Sequence, residues 1–283
     1  MSTPSTRPEA NRGPMWSVIA RTIRNEIEAG RLRHGQPLPS TRALADQFGV
    51  SVDPALRAMR ELEKEGLVVT KDRVGRIVNN PDAEPSQSSA TPTVPQVVLI
   101  GGYAGSGKTE LGRILARRSH WPMLDKDTTT RPVVEAALEQ LGVAPSDRES
   151  DVYLNVIRPT EYEALMSTMS ENVACGNSAI VTAPFIRELS DRAWCERTAA
   201  SISSLNAELH VVWVRCDEPT MKTYIKQRGA ARDSNKLSNW DQYIASVDLN
   251  FTPAIEHTVI DNSADASPLQ DQAIELLRQL ADR

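Results

Sequence analysis

Residues 97–115 read VVLIGGYAGSGKTELGRIL. Val97 to Ile100 are four apolar residues in a row and predict a strand buried on both faces. Glu110 to Arg118 predicts a helix, and the intervening GGYAGSGKT fits G-x-x-x-x-G-K-[ST] from Gly102 to Thr109. Phosphate binding needs this order of strand, glycine loop and helix. Glycines let successive backbone N–H groups face an anion, and the helix N-terminus behind them carries partial positive charge. The pattern assigns Gly102, Ala104, Gly105, Ser106, Gly107, Lys108, Thr109 and Glu110 to the phosphates of ATP or a related nucleotide. Lys108 is expected to reach the outer phosphates and the Thr109 hydroxyl to ligate Mg²⁺.

Further strands follow at intervals. WPMLDKDTTTRP predicts a short strand ending in Asp125 and Asp127, SAIVTAPF a third, LHVVWVRC a fourth and HTVIDNS a fifth. Helical stretches fall between them, which predicts an α/β fold with a parallel sheet and right-handed crossovers. Asp127 suits either of two roles, a general base or the N-cap of the helix that follows. Arg228 and Arg232 lie four apart in MKTYIKQRGAARD, so on one helix both guanidiniums would face one way. The alternative is a solvated face paired with Asp233.

Ahead of this body lies a different kind of segment. NNPDAEPSQSSATPTVP, residues 79–95, holds four prolines and, Val94 apart, no large apolar residue, so it reads as a linker. In front of it, Met15, Ile19, Ile23 and Ile27 recur every four positions and predict one helix stopped at Gly30. Ser40 is placed to cap a second helix with Leu44 and Phe48 inside and Gly49 as its stop. Ser51 opens a third, with Pro54 in the first turn and Ala55, Met59 and Leu62 in the core. Two helices joined by so tight a turn form a helix-turn-helix, and GLVVTKDRVGRIV adds two short strands about a basic turn. The organisation expected is a disordered tail over 1–14, a winged helix over 15–78, the linker 79–95 and the nucleotide-binding body 96–283.

The charge agrees with this division. Residues 1–80 hold 13 Lys/Arg against 9 Asp/Glu, a balance of +4, and the remainder holds 19 against 28, or −9. The front is thus expected to meet a polyanion and the rear is not. No apolar run reaches membrane-spanning length, and MSTPSTRPEANRGP lacks the apolar core of a signal peptide, so a cytoplasmic protein is expected. Cys175, Cys195 and Cys216 have no metal-like spacing and are expected to be buried, reduced thiols.

Residues 15–78 closely resemble the GntR family of bacterial transcription regulators, through LPSTRALA, VS, the EGL after the third helix and the wing glycine Gly75. The resemblance implies a homodimer on a two-fold related double-stranded operator, with the third helix in the major groove. It assigns DNA contact to Arg42, Ser51, Arg57, Arg60, Lys71, Arg73 and Arg76. Val52, Asp53, Pro54 and Leu56 depart from the family pattern at the helix start, so the operator is expected to differ from the family's usual sequence. Residues 96–280 resemble the P-loop ATPase/kinase family that includes zeta toxins, chloramphenicol phosphotransferase and gluconate-type kinases, through GGYAGSGKT, DKD, RPTEYEALM and RGAARD. That resemblance gives Asp125 and Asp127 a catalytic role if the domain is active, and Arg228 and Arg232 the role of a lid clamping the phosphoryl group. Thr182 stands where such proteins often carry a metal-holding Asp. Three functions stay open: a nucleotide-responsive regulator of the repressor type; a small-molecule or nucleotide kinase with an attached autoregulator; and a toxin-like kinase restrained by its front half.

Overall fold

The computed structural model describes residues 14–72, 74–80, 94–229 and 233–281. Residues 1–13 of the expected tail, most of the expected linker, Arg73 and Arg232 lie outside the described residues.

The front half forms as its sequence demands. Helix α1 (Met15–Glu28) ends at Ala29 with Gly30 at φ +72. Helix α2 (Thr41–Phe48) is capped by the Ser40 hydroxyl, which accepts from the Ala43 N–H at 3.2 Å, and it stops at left-handed Gly49. Helix α3 (Val52–Lys64) starts after Ser51, whose side chain makes no cap bond. Strands β1 (Val68–Lys71) and β2 (Gly75–Val78) pair antiparallel as the wing. Ile19, Ile23, Ile27, Leu44, Phe48, Ala55, Met59 and Leu62, all expected inside, share one core, whereas Met15, the first residue of the α1 stripe, is exposed at the helix start.

The rear half is a five-stranded parallel sheet in the order β4-β5-β3-β6-β7. Its strands are β3 (Gln96–Gly101), β4 (Met123–Asp125), β5 (Ala179–Thr182), β6 (Glu208–Arg215) and β7 (Thr258–Asp261). All five match the expected segments. Asp127, however, lies beyond β4 in the first turn of α5 (Lys126–Gln140), because Asp125 already caps that helix. Central β3 is fully buried at Val97, Val98, Leu99 and Ile100. Burying each such side chain is worth about 1.5–3 kcal/mol, which fixes the strand that feeds the glycine loop.

Helices cover both faces. On one side lie α6 (Arg158–Ala174), α7 (Ile186–Ser190) and α8 (Arg192–Ser204) around Leu165, Phe185 and Trp213. On the other, α4 (Lys108–Ser119) and α12 (Leu269–Ala281) enclose Leu111, Ile114 and Leu276, and Ala29 from the end of α1 joins that layer. Helices α9 (Glu218–Arg228), α10 (Ser234–Ser238) and α11 (Trp240–Ala245) form a smaller cluster beside the glycine loop. A π-helical turn, Tyr153–Ile157, leads into α6. Cys195 and Cys216 are buried as expected. Cys175 is exposed, since it sits where α6 ends against solvent. Among the described residues, no helix is long and apolar enough to cross a membrane.

Candidate nucleotide site and DNA-binding face

The carboxyl end of β3 delivers Gly101 into the glycine loop, the edge where open parallel sheets bind ligands. Gly105 and Gly107 hold φ of +81 and +97, conformations that L side chains rarely adopt. A Cβ at Gly105 would sit 2.8 Å from the Met221 carbonyl, and one at Gly107 would run into Asn262. The loop is therefore closed around bare backbone. Gly107 caps α4, whose first turn carries Lys108, Thr109 and Glu110. The Lys108 ammonium donates to the Tyr103 carbonyl at 2.7 Å. Burial, reinforced by the Arg228 guanidinium, lowers its pKa to about 8. A site that destabilises its own cation in this way is one that an anion would restore.

Behind Lys108 the Thr109 hydroxyl donates to Asp125 Oδ2 at 3.2 Å, and the Thr182 hydroxyl donates to the same oxygen at 2.7 Å. Thr182 is thus no empty place at the end of β5: it orients the Asp125 carboxylate. The other Asp125 oxygen caps α5 through the Thr128 N–H at 2.9 Å. Of the two roles open for Asp127, the N-cap falls instead to Asp125. Asp127 is half-buried in the first helical turn, 3.3 Å from the Lys126 ammonium. The pairing of Thr109 with Asp125 fits a Mg²⁺ ion, which takes one or two protein oxygens and fills its remaining positions with phosphate and water. When bound, such an ion neutralises charge on the phosphates.

Arg228 is the last residue of α9, and Gly229, at φ +59, stops the helix there. Helix α9 thus carries Arg228 at its end, and Arg232 lies outside the described residues. Arg228 Nε donates to Asp233 at 2.9 Å, the pairing that was open as the alternative to the lid. Asp233 is buried and also lies 3.4 Å from Lys236. Arg228 nevertheless borders both cavities that flank Lys108 and Thr109.

The larger cavity, about 480 Å³, lies on the β4–β5 side and reaches Asp125, Asp127, Arg148, Arg158 and Arg187. Its floor is a buried network that no local sequence pattern announces. Glu161 accepts from Lys126 at 2.8 Å, Thr130 at 2.6 Å and Tyr153 at 2.8 Å. A buried carboxylate with three donors is a rigid, fully satisfied unit.

The smaller cavity, about 270 Å³, is bounded by the glycine loop, by α9 and by α1 of the winged helix. The sequence held no sign of this junction. Arg21 is 4% exposed and donates to Asn262 Oδ1 at 3.4 Å, to the Ser267 carbonyl at 3.2 Å and to the Ala266 carbonyl. Asn25 donates to Asn262 Oδ1 at 3.4 Å, and Asn262 Nδ2 in turn donates to the Ser106 carbonyl at 3.0 Å. A continuous polar chain thus runs from α1 through the end of β7 into the glycine loop. Two ion pairs flank it, Arg31–Glu110 at 2.6 Å and Arg118–Glu28 at 3.1 Å. Glu110, expected at the nucleotide, is held by the front domain. Asn262 was detectable in principle, as a polar residue at the carboxyl end of a strand.

On the front half, Arg42, Ser51, Arg57, Arg60 and Lys71 are exposed. The Arg57 guanidinium lies 4.3 Å from the Trp16 ring centre. Arg76 is committed within the fold: its Nε donates to Glu63 at 2.7 Å and its NH1 to Thr41 at 2.8 Å, which ties the wing to α2 and α3.

A winged helix docked on a phosphate-loop α/β domain with a five-stranded parallel sheet is the class that this fold and site define. The chain belongs to the AAA-domain family, matched over residues 97–249, and residues 17–78 match the bacterial regulatory proteins of the gntR family. The HTH-type transcriptional regulator GgaR of Escherichia coli (strain K12) is 37% identical over 92 residues, 32% of this chain and 37% of that protein. The vitamin B6 salvage pathway transcriptional repressor PtsJ of Salmonella typhimurium is 24% identical over 258 residues, 84% of this chain and 59% of that protein. The chain thus spans little more than a third of the length of GgaR. Among solved structures, a gluconokinase from Sinorhizobium meliloti 1021 is similar at a TM-score of 0.43 and 15% identity, covering 67% of this chain and 95% of that one.

Proposed function

We propose that the protein is a cytoplasmic transcriptional regulator, a repressor acting as a homodimer on a two-fold related DNA operator, with its kinase-like body as sensor of ATP or a related nucleotide with Mg²⁺. The observation that carries this reading is the chain Arg21–Asn262–Ser106, which bonds the first helix of the DNA-binding half to the loop that would hold phosphate. A nucleotide that reshapes that loop acts on the orientation of the winged helix through direct contacts. A coupling of about 1–3 kcal/mol would change operator affinity about five- to 150-fold. Arg42, Ser51, Arg57, Arg60 and Lys71 face the DNA in this reading, and Arg76 supports the wing.

The kinase reading has its own support in the second cavity, where Asp127 and several arginines face Lys108 across a cleft large enough for a small acceptor. Calorimetry with ATP and Mg²⁺, on wild type and Lys108→Ala, tests the common premise. Saturable binding by wild type alone is the expected result, and heat-silent wild type would end both readings. Release of ADP over many turnovers with added hydroxyl-bearing metabolites would move the protein to the kinase class. Binding without turnover keeps it a sensor.

A further inference from the structure

The cavity of about 270 Å³ beside Gly107 and Lys108 holds buried polar groups with nothing to bond. Asn25, 2% exposed, has its Oδ1 buried and without a hydrogen-bond partner, and Gln227 Nε2 is in the same state. Both residues line this cavity, one on α1 of the winged helix and the other on α9 of the body. A buried amide oxygen or N–H left unpaired costs about 1–3 kcal/mol, so two of them, on residues that line one polar space, mark a place that a ligand completes once their amides turn toward it. Glu26, one residue further along α1, borders the same space, and burial raises its carboxyl pKa.

Which part of a ligand belongs there follows from the position of the phosphates. The amides of Gly105 to Lys108 and the Lys108 ammonium fix the phosphate end, and the Asp125 side of Thr109 opens into the other, larger cavity. The space bounded by α1 and α9 therefore receives what is attached to the inner phosphate. An unpaired acceptor on one wall and an unpaired donor on another suit the edge of a nucleobase, which presents donors and acceptors side by side. The volume lies just under the usual range for small-molecule sites, enough for the nucleoside end of a ligand whose phosphates lie in the loop.

We propose that the nucleotide site is shared between the two halves of the chain: α1 of the winged helix, through Asn25 and Glu26, forms the wall that reads the nucleobase, opposite Gln227. This rests on the nucleotide reading above and deepens it. The DNA-binding half is then itself a ligand-contacting element, and its position relative to the body is set by whether a base stands between α1 and α9.

The test uses the full chain and two probes, ATP and inorganic tripolyphosphate, each with Mg²⁺. Tripolyphosphate offers the same charge without a base. Wild type is expected to bind ATP at least tenfold more tightly than tripolyphosphate. Asn25→Ala should lose about five- to tenfold in ATP affinity, the equivalent of one hydrogen bond, while tripolyphosphate affinity holds. Gln227→Ala, on the opposite wall and outside the winged helix, should narrow the same margin. It also serves should Asn25→Ala fail to fold. Equal affinity of wild type for the two probes, or an ATP margin that survives both substitutions, overturns the shared wall and leaves the nucleotide reading intact. Failure of both probes to bind wild type removes the nucleotide reading and this inference with it.

Discussion

Replacing Arg21 with methionine should release the winged helix from the body while leaving both folded. The guanidinium directs its hydrogen bonds to Asn262 Oδ1, the Ser267 carbonyl and the Ala266 carbonyl, all across the junction. Hydrogen bonds from a charged donor contribute about 1.5–3 kcal/mol each, but the 3.4 Å contact is weak and burial of the cation, which lowers its pKa, subtracts from the sum. We expect a net loss of roughly 2–4 kcal/mol, close to the range for breaking a buried charged network. Methionine keeps much of the aliphatic volume, so the front core of Ile19, Ile23 and Ile27 should survive. Of the other ties, Arg31–Glu110 and Arg118–Glu28 involve part-exposed arginines and contribute about 0–1 kcal/mol each, and the Asn25–Asn262 bond at 3.4 Å is weak. Hydrogen exchange reads the outcome. If α1 opens from the body as a unit, amides of residues 262–267 and the body-facing side of α1 should exchange about 30- to 1,000-fold faster. The β3 and α3 amides should not change. Unaltered exchange at 262–267, with the variant folded, would show that the junction is held by something other than this arginine.

Other expectations can be checked in parallel. Because Lys108 titrates near pH 8 in the free protein and a bound polyphosphate favours its charged form, nucleotide binding at pH 8 should take up about half a proton, and affinity should fall as pH rises from about 7 to about 9.5; calorimetry in buffers of different ionisation enthalpy measures both. Gly107→Ala should abolish nucleotide binding and destabilise the fold by more than about 1 kcal/mol in denaturant titration, since φ +97 disfavours a side chain and Asn262 fills its space. Asp125→Ala should lower stability by about 1 kcal/mol through removal of the α5 cap and weaken the Mg²⁺ dependence of nucleotide binding, whereas Asp127→Ala should leave both unchanged. Alanine at Arg42 or Arg60 should reduce the salt slope of DNA binding by about 0.9 for each phosphate no longer neutralised, while Arg76→Ala should show its main effect in melting of the wing.

The regular parts of the molecule are local in origin, which is why the sequence displays them. The isoleucine stripe of α1, the Ser40 cap, the Gly49 stop and the β3-loop-α4 order each depend on residues within about a dozen positions of one another. The same holds for the phosphate cradle. What stayed hidden depends on separations of tens to hundreds of residues. Asp125 meets Thr182 only because β4 pairs with β5, and Glu161 meets Lys126 only after α6 packs beside α5. Arg21 and Asn25, four apart on α1, form a polar stripe beside the apolar one. In isolation that stripe reads as a solvated face, yet both residues are buried. The end of α9 has the opposite, local origin: Gly229 takes the left-handed conformation and stops the helix at Arg228.

Nucleotide control of DNA binding requires the phosphate loop and the DNA-binding face to be coupled through α1. The most direct measurement selects a duplex from a random pool with wild-type protein and then follows its affinity by anisotropy as ATP and Mg²⁺ are titrated. Wild type should change affinity about five- to 150-fold, and Lys108→Ala should not respond. A wild-type affinity that stays constant while calorimetry shows the loop filled would contradict that coupling.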